Sequence, residues 1–189
     1  MNNKITNAGL LKLTRLENLK LSSNTLITNE VLVQLDEKGK GHGKLNNLTS
    51  LDISNNLKIT NRAIFWRTNL IELSLRGESR IEDNFLSMLT NLEKLDLHGN
   101  NMIGNKGISN LTNLTFLDLS LQKNVTNDAL TRLTNLKSLS FMRNLKIGNL
   151  PPNSLPNIEN YTDRLDKPIY STKYCLYQHP LYKKIKTGI

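Results

Sequence analysis

The sequence matches itself when it is displaced by 22 residues, and this periodicity constrains the fold more than any other feature of the chain. The unit is most complete between Leu89 and Leu111, where it reads Leu-x-x-Leu-x-Leu-x-x-Asn. Columns of apolar residues begin at Leu48, Leu51 and Ile53 and recur at each step. A fixed period of about 20 to 29 residues is typical of a solenoid, in which each coil packs against its neighbours.

The repeated motif resembles a known family. Leu-x-x-Leu-x-Leu-x-x-Asn followed by Ile-Thr-Asn-x-Ala-Leu-x-x-Leu resembles a leucine-rich repeat from residue 4 to about residue 158. The Ile-Thr-Asn half is similar to the cysteine-containing Ile-Thr-Asp subclass, although the repeat is shorter and has no cysteine. The Asn-, Lys- and Ile-rich composition also resembles repeat proteins of amoeba-infecting giant viruses.

The resemblance implies an α/β fold. In this fold a right-handed β-α superhelix carries a curved parallel sheet on its concave face, and short helices or 3₁₀ turns form the convex face. It further implies a non-catalytic binding scaffold, because the family's motif builds the coil and leaves the choice of partner to other residues.

Departures from the period divide the chain. Residues 4–13 match the second half of a repeat whose strand is missing, and the repeats that begin at Leu16 and Leu48 are 32 residues apart, ten more than the period, with the addition between Leu35 and Leu45. Since the added stretch 36–44 is rich in glycine and lysine, it predicts a flexible loop. The period ends at the prolines near residue 151. We therefore expect a solenoid domain over residues 1–158 and a non-repetitive C-terminal cap or tail over residues 159–189, with Tyr161 in a strand leucine position.

Composition favours a reducing compartment. The one cysteine, Cys175, has no partner for an internal disulfide. The N-terminus has no apolar signal region, and no run of residues reaches the length of a membrane span. These features predict a cytoplasmic, intracellular protein, in the host cytoplasm if it is viral.

Polar columns predict how the coils are held. The resemblance implies that the motif asparagine turns inward and binds backbone, and two coils depart from it; the column is Asn24, Asn56, Glu78, Asn100, Gln122 and Asn144. A second column should provide helix N-caps, at Asn29, Asn61, Asp83, Asn105 and Asn127. On the convex side Arg67 replaces a column leucine, and we expect Trp66 to turn inward into the vacated space, with an exposed aromatic patch as the alternative.

The residues flanking the strand leucines should face the concave side, where the repeat does not dictate their identity. Apolar residues gather there near the C-terminal end, with charged residues around them, as in the centre of a protein interface. The candidate partner-binding residues are Arg76, Asp96, His98, Phe116, Asp118, Leu121, Met142 and Arg143. A solvated face with scattered apolar residues is the alternative.

Catalysis is not expected. Ser120 lies one strand from His98, with Asp96 and Asp118 nearby, but an open sheet face offers no oxyanion hole or enclosed pocket. We also expect no metal and no cofactor, because the sequence has neither zinc-ligand spacing nor a phosphate-binding glycine motif.

The sequence therefore predicts a protein-protein interaction scaffold that binds an unidentified protein on its concave face, most simply as a monomer. The alternative is binding of a polyanion, either nucleic acid or an anionic membrane surface. Its basis is the net charge of +9, with lysines in the added loop and in the tail; they are Lys38, Lys40, Lys44 and the cluster Lys183 to Lys186.

Overall fold

The computed structural model describes residues 5–35, 41–43, 45–148, 154–162 and 168–170. The strands are β1 (Asn18–Lys20), β2 (Val33–Leu35), β3 (Gly41–Gly43), β4 (Ser50–Asp52), β5 (Glu72–Ser74), β6 (Lys94–Asp96), β7 (Phe116–Asp118), β8 (Ser138–Ser140), β9 (Asn160–Thr162) and β10 (Pro168–Tyr170). The helices are α1 (Asn7–Leu10), α2 (Asn61–Ile64), α3 (Asp83–Leu86), α4 (Asn105–Ile108) and α5 (Asn127–Leu130), and Asn29–Val31 forms a 3₁₀ turn.

One strand from each coil joins a single sheet. Its order is β1-β4-β5-β6-β7-β8-β9-β10, and all neighbours are parallel except β9 and β10. Leu51, Leu73, Leu95 and Leu117 stand opposite one another in register. Because side chains alternate along a strand, the central leucine points into the core and its two neighbours point to the open face of the sheet.

The core is a stack of the predicted columns. Ile59, Ile81, Ile103 and Val125 are fully buried, as are most of the strand leucines. Since each leucine packs only against its own coil and the neighbouring coils, truncating one should cost about 2 to 5 kcal/mol. The parallel leucine-rich coil predicted by the repeat is confirmed.

The motif asparagines bind the backbone as predicted. The Oδ1 atom of Asn100 accepts hydrogen bonds from the N–H groups of Met102 (2.9 Å) and Ile103 (3.1 Å), and its amide donates to the carbonyl of Leu75 (2.8 Å). Gln122 accepts the two equivalent N–H groups, from Asn124 and Val125, but its amide donates to the carbonyl of Ile103 rather than to that of Leu97, so the substitution preserves the pattern in part. In the remaining coil Glu78 is exposed, and the neighbouring Ser79 is buried in its place.

The predicted N-caps are wrong. The capping position belongs to the preceding residue, for example Thr60 before α2, and Asn61 is the first helical residue. The side chains of this column instead tie one coil to the next. The Oδ1 atom of Asn105 accepts the N–H of Thr126 at 2.9 Å, and its amide donates to the Thr126 hydroxyl at 2.8 Å. The preference of Asn and Asp for helix N-caps predicted capping. In a parallel stack, however, these side chains find hydrogen-bond partners in the next coil.

The added stretch is not an irregular loop throughout. β2 and β3 form an antiparallel pair with Val33 opposite Gly43 and Leu35 opposite Gly41. The expectation of a flexible loop is therefore wrong for residues 41–43. The rest of the stretch, with Lys38, Lys40 and Lys44, lies outside the described residues.

Arg67 stays in the core, which contradicts the prediction for Trp66. The Arg67 side chain is 3% exposed and donates to the carbonyls of Leu32 and Leu45, on either side of the added stretch. Burial lowers the pKa of Arg67 to about 10. Since Arg67 fills its own position, Trp66 turns outward with 44% exposure, in edge contact with Phe65 at 4.7 Å between ring centroids.

At the C-terminal end β9 extends the parallel sheet, with Tyr161 opposite Leu139, and β10 runs antiparallel along β9. The role of residues 159–189 as a cap stays a prediction. The prolines Pro151 and Pro152, the cysteine Cys175 and the cluster Lys183 to Lys186 lie outside the described residues.

Candidate interaction surface on the open sheet face

Register brings the candidate residues together on one part of the open face. Asp96 stands opposite Asp118, and Lys94 stands opposite Phe116. The remaining candidates lie in the turns that follow β5 to β8, at the same end of the strands; they are Arg76, His98, Leu121, Met142 and Arg143. We call these eight residues, with Lys94 excluded, the C-terminal patch: Arg76, Asp96, His98, Phe116, Asp118, Leu121, Met142 and Arg143.

The apolar part of the C-terminal patch is accessible. Phe116 is 36% exposed and Leu121 is 40% exposed, while Met142 is half-buried. The N–H of Leu121 donates to the carbonyl of Met142 at 2.8 Å, which fixes the two turns against each other. These side chains provide a partner with accessible apolar surface on a rigid backbone.

Two residues of the C-terminal patch have a left-handed backbone conformation. Leu121 has φ of 59° and Arg143 has φ of 56°, at a turn position that is left-handed in each coil and that earlier coils give to Ser23, Asn55, Gly77 and Gly99. Glycine adopts this conformation without steric cost, whereas a bulky side chain such as leucine does so with strain. The strain at Leu121 therefore comes from placing a leucine at a position that the repeat holds left-handed.

The third residue of each strand from β4 to β8 faces the open side, and these residues form a central column that includes Asp96 and Asp118. Each of these two carboxylates uses its two oxygens differently. One oxygen of Asp96 accepts the N–H of His98 at 3.0 Å, and one oxygen of Asp118 accepts the N–H of Ser120 at 2.8 Å. The other oxygen faces a side chain of the preceding coil. Arg76 Nε lies 3.6 Å from Asp96 Oδ2, and His98 Nδ1 lies 3.9 Å from Asp118 Oδ2. Parallel register thus produces acid–base pairs between coils.

The electrostatic environment of Asp96 is unfavourable for its charge. Burial is the largest cause that raises the pKa of Asp96, and the neighbouring charge of Asp118 adds to it. The hydrogen bond from the His98 N–H and the charge of Arg76 act in the opposite direction without cancelling the rise. An additional positive charge nearby would therefore stabilise the ionised form of Asp96.

The sequence did not reveal an ion pair beside the patch. Lys94 Nζ lies 2.5 Å from Glu72 Oε1, across neighbouring strands. Their hydrogen bond lowers the pKa of Glu72 and raises that of Lys94. The ion pair could have been predicted from parallel register, because the first residue of each strand stands opposite the first residue of the next strand.

The catalytic alternative is not assembled in the structure. Ser120 is 1% exposed, and its hydroxyl shares a 2.8 Å hydrogen bond with the hydroxyl of Ser140. Of the bonds among described residues, none joins Ser120 to His98. In the described part of the chain, Ser120 and His98 are therefore not placed as a hydrogen-bonded nucleophile and base.

In the described part of the chain, no three histidine, cysteine, aspartate or glutamate side chains come together as a possible metal site. Nor does any helix in those ranges have the length and apolar character needed to cross a bilayer.

Comparison with known proteins supports the fold. No family model and no curated protein matches the sequence. Among solved structures, an internalin F from Listeria monocytogenes str. 4b F2365 is similar with a TM-score of 0.63 and 31% identity, over 82% of this chain and 42% of that chain. Internalin C2 from the same strain is similar with a TM-score of 0.59 and 30% identity, over 79% of this chain and 62% of that chain.

A third similar structure is that of TLR13 in complex with ssRNA13. Its TM-score is 0.56 at 28% identity, over 78% of this chain and 21% of that chain. This chain thus spans less than two thirds of the length of each of these three proteins, all of which are leucine-rich repeat proteins. The repeat pattern, the parallel sheet with one strand per coil and these likenesses together show that the chain is a leucine-rich repeat solenoid.

Proposed function

We propose that this protein is a non-catalytic binding module that holds a protein partner on the C-terminal patch. The observation that carries the proposal is the accessible apolar surface of Phe116 and Leu121 on the open sheet face. Positions on this face are free of the packing constraints that fix the leucine columns. Apolar anchors surrounded by charged groups are the usual centre of a protein interface.

Similarity to solved structures and the composition of the chain also bear on the function, the location and the source of the protein. A similar structure of the same fold, that of TLR13, is described as a complex with a ligand, which favours binding over catalysis in this chain too. An intracellular location rests on the single Cys175, and a viral source rests on the composition alone.

The test compares the proteins retained from a cell extract by the wild-type chain and by Phe116→Ala/Met142→Ala. Leu57→Ala is the matched control, because Leu57 is a similarly exposed leucine, at 43%, outside the patch. We expect the double variant to lose at least one protein that the wild type and the control retain. Identical sets of retained proteins, with all three chains folded by circular dichroism, would contradict the proposal.

A second candidate function is binding of a polyanion. It is favoured by the net charge of +9 and by the similar TLR13 structure, which is described as a complex with ssRNA. Against it, the central column of the open face carries Asp52, Asp96 and Asp118. Retention on immobilised single-stranded RNA at increasing salt tests it, because counterion release makes such binding fall steeply with salt concentration. Salt-independent retention, or none at low salt, would exclude this candidate.

A further inference from the structure

Asp96 and Asp118 form a pair of neighbouring carboxylates on the open face. They stand opposite each other on β6 and β7, and their side chains are 22% and 19% exposed. Phe116 precedes Asp118 by two residues on the same strand, so both side chains point to the same face. An acidic pair thus lies beside the apolar anchor of the C-terminal patch.

The outward oxygens of these carboxylates lack a close donor. In the equivalent Asp52, Oδ2 accepts a hydrogen bond from the Ser22 hydroxyl at 2.5 Å. The corresponding separations are 3.6 Å for Asp96 and 3.9 Å for Asp118, which exceed the range of an ordinary N–H···O hydrogen bond. Within the described ranges, no hydrogen bond reaches either outward oxygen.

The nearby cations do not replace such a donor. Lys94 lies on the same strand as Asp96, but its ammonium group is held by Glu72 on the other side. Arg76 approaches Asp96 through Nε alone and is half exposed. The pair therefore keeps a local negative character on a chain whose net charge is +9.

On the basis of the proposed function, we infer that the partner is a protein segment that carries a lysine or arginine next to an apolar side chain. The apolar side chain packs on Phe116, Leu121 and Met142, and the cation binds between the outward oxygens of Asp96 and Asp118. Charge complementarity selects this class of partner over an acidic or a purely apolar one.

The geometry also sets the spacing in the partner. Two residues along a strand correspond to about 6.6 Å, which is the separation expected between the Phe116 and Asp118 positions. An extended partner matches this with its apolar residue and its cation at positions i and i+2, on one face of the segment. A helical partner matches it at i and i+4, where side chains are about 5 to 6 Å apart.

The experiment uses a displayed library of short random peptides as the probe. Peptides retained by the wild-type chain are sequenced, and one is measured against variants by fluorescence polarisation. We expect the retained sequences to share a lysine or arginine at one of the two spacings from an apolar residue. Asp96→Asn/Asp118→Asn should weaken the measured peptide about tenfold, while the amide oxygens still accept the backbone N–H groups of His98 and Ser120.

Asp52→Asn is the matched control, since it removes the same charge from the same column on β4. It should change the dissociation constant less than about twofold. Retained peptides without a basic residue, or full affinity in Asp96→Asn/Asp118→Asn, would overturn the inference, as would a library from which nothing is retained. If Phe116→Ala/Met142→Ala abolishes binding while the aspartate variant does not, the proposed function stands and only the inference fails. If neither variant weakens the peptide, the peptide binds elsewhere and both fail.

Discussion

Individual residues in the C-terminal patch have conformations that stability alone does not favour. Leu121 has a left-handed backbone, and 40% of its side chain remains accessible. Asparagine tolerates this conformation better than leucine, so Leu121→Asn should raise the free energy of unfolding by about 0.5 to 1 kcal/mol. Urea denaturation measures the change, and the same variant should bind the peptide probe more weakly because it loses apolar contact.

Leu57→Asn provides the control for this prediction. Leu57 is 43% exposed and has no left-handed backbone, so its substitution removes similar apolar surface without relieving strain. We expect it to be neutral or slightly destabilising. If Leu121→Asn destabilises the chain as much as Leu57→Asn does, the strain at Leu121 is not significant.

How well the sequence predicted the role of a residue depended on whether its contact partners lie in the same coil or in the next one. Positions within the repeat, such as Leu95 and Asn100, were predicted because every coil repeats the same environment. The role of Asn105 was predicted wrongly because its partner, Thr126, belongs to the next coil, and local capping rules do not include that contact. The pairs of Asp96 and Asp118 with the preceding coil follow from parallel register and become visible once the register is known.

At the scale of elements, the β2–β3 hairpin and the coil after it depend on each other. In other coils the residue at the position of Arg67 donates its N–H to the carbonyl three residues earlier, as Leu89 does to Leu86 at 3.0 Å. The added stretch separates Leu32 from Leu45, and the guanidinium of Arg67 donates to both of their carbonyls. Arg67 is the one member of its column that is not leucine, and it follows the one coil with an addition.

This dependence predicts a coupling between two changes. Arg67→Leu alone should cost about 1 to 3 kcal/mol, because the carbonyl of Leu32 loses its donor, whereas that of Leu45 still accepts the N–H of Leu48. Deletion of residues 36–45 alone restores the 22-residue period, but it removes the carbonyl of Leu45 and returns the carbonyl of Leu32 to the restored turn, so the buried guanidinium loses both acceptors. The two changes together should give a stability close to that of the wild type.

A double-mutant cycle by urea denaturation tests this prediction. The coupling free energy should be about 2 kcal/mol or more in favour of the combined variant. Additive losses would show that Arg67 and the added stretch are independent. In that case the deletion alone should be tolerated, as is usual for additions on a protein surface.

At the scale of the whole molecule, the solenoid differs from a globular domain in having open ends. At the N-terminal end β1 is the edge of the sheet within the described residues. Leu13 is 48% exposed there, whereas its counterparts Leu89 and Leu111 in the same column are 1% and 0% exposed. Within the described residues, this end therefore combines accessible apolar surface with a strand edge that no second strand covers, which is the arrangement that favours association between chains.

The short length of β1 and the positive charge beside it act against that association, and we therefore expect a monomer. β1 has three residues, too few to form a long ladder with a second copy, and exposed lysines lie at Lys12 and Lys20. Sedimentation equilibrium should give the mass of one chain, near 21.5 kDa. Lys20→Val should promote self-association, since it removes a charge from the edge strand, whereas Lys106→Val on α4 should not. A wild-type mass near twice that of one chain, which returns to the single-chain value in Leu19→Pro, would show that β1 pairs between copies, because proline removes a backbone donor from the edge.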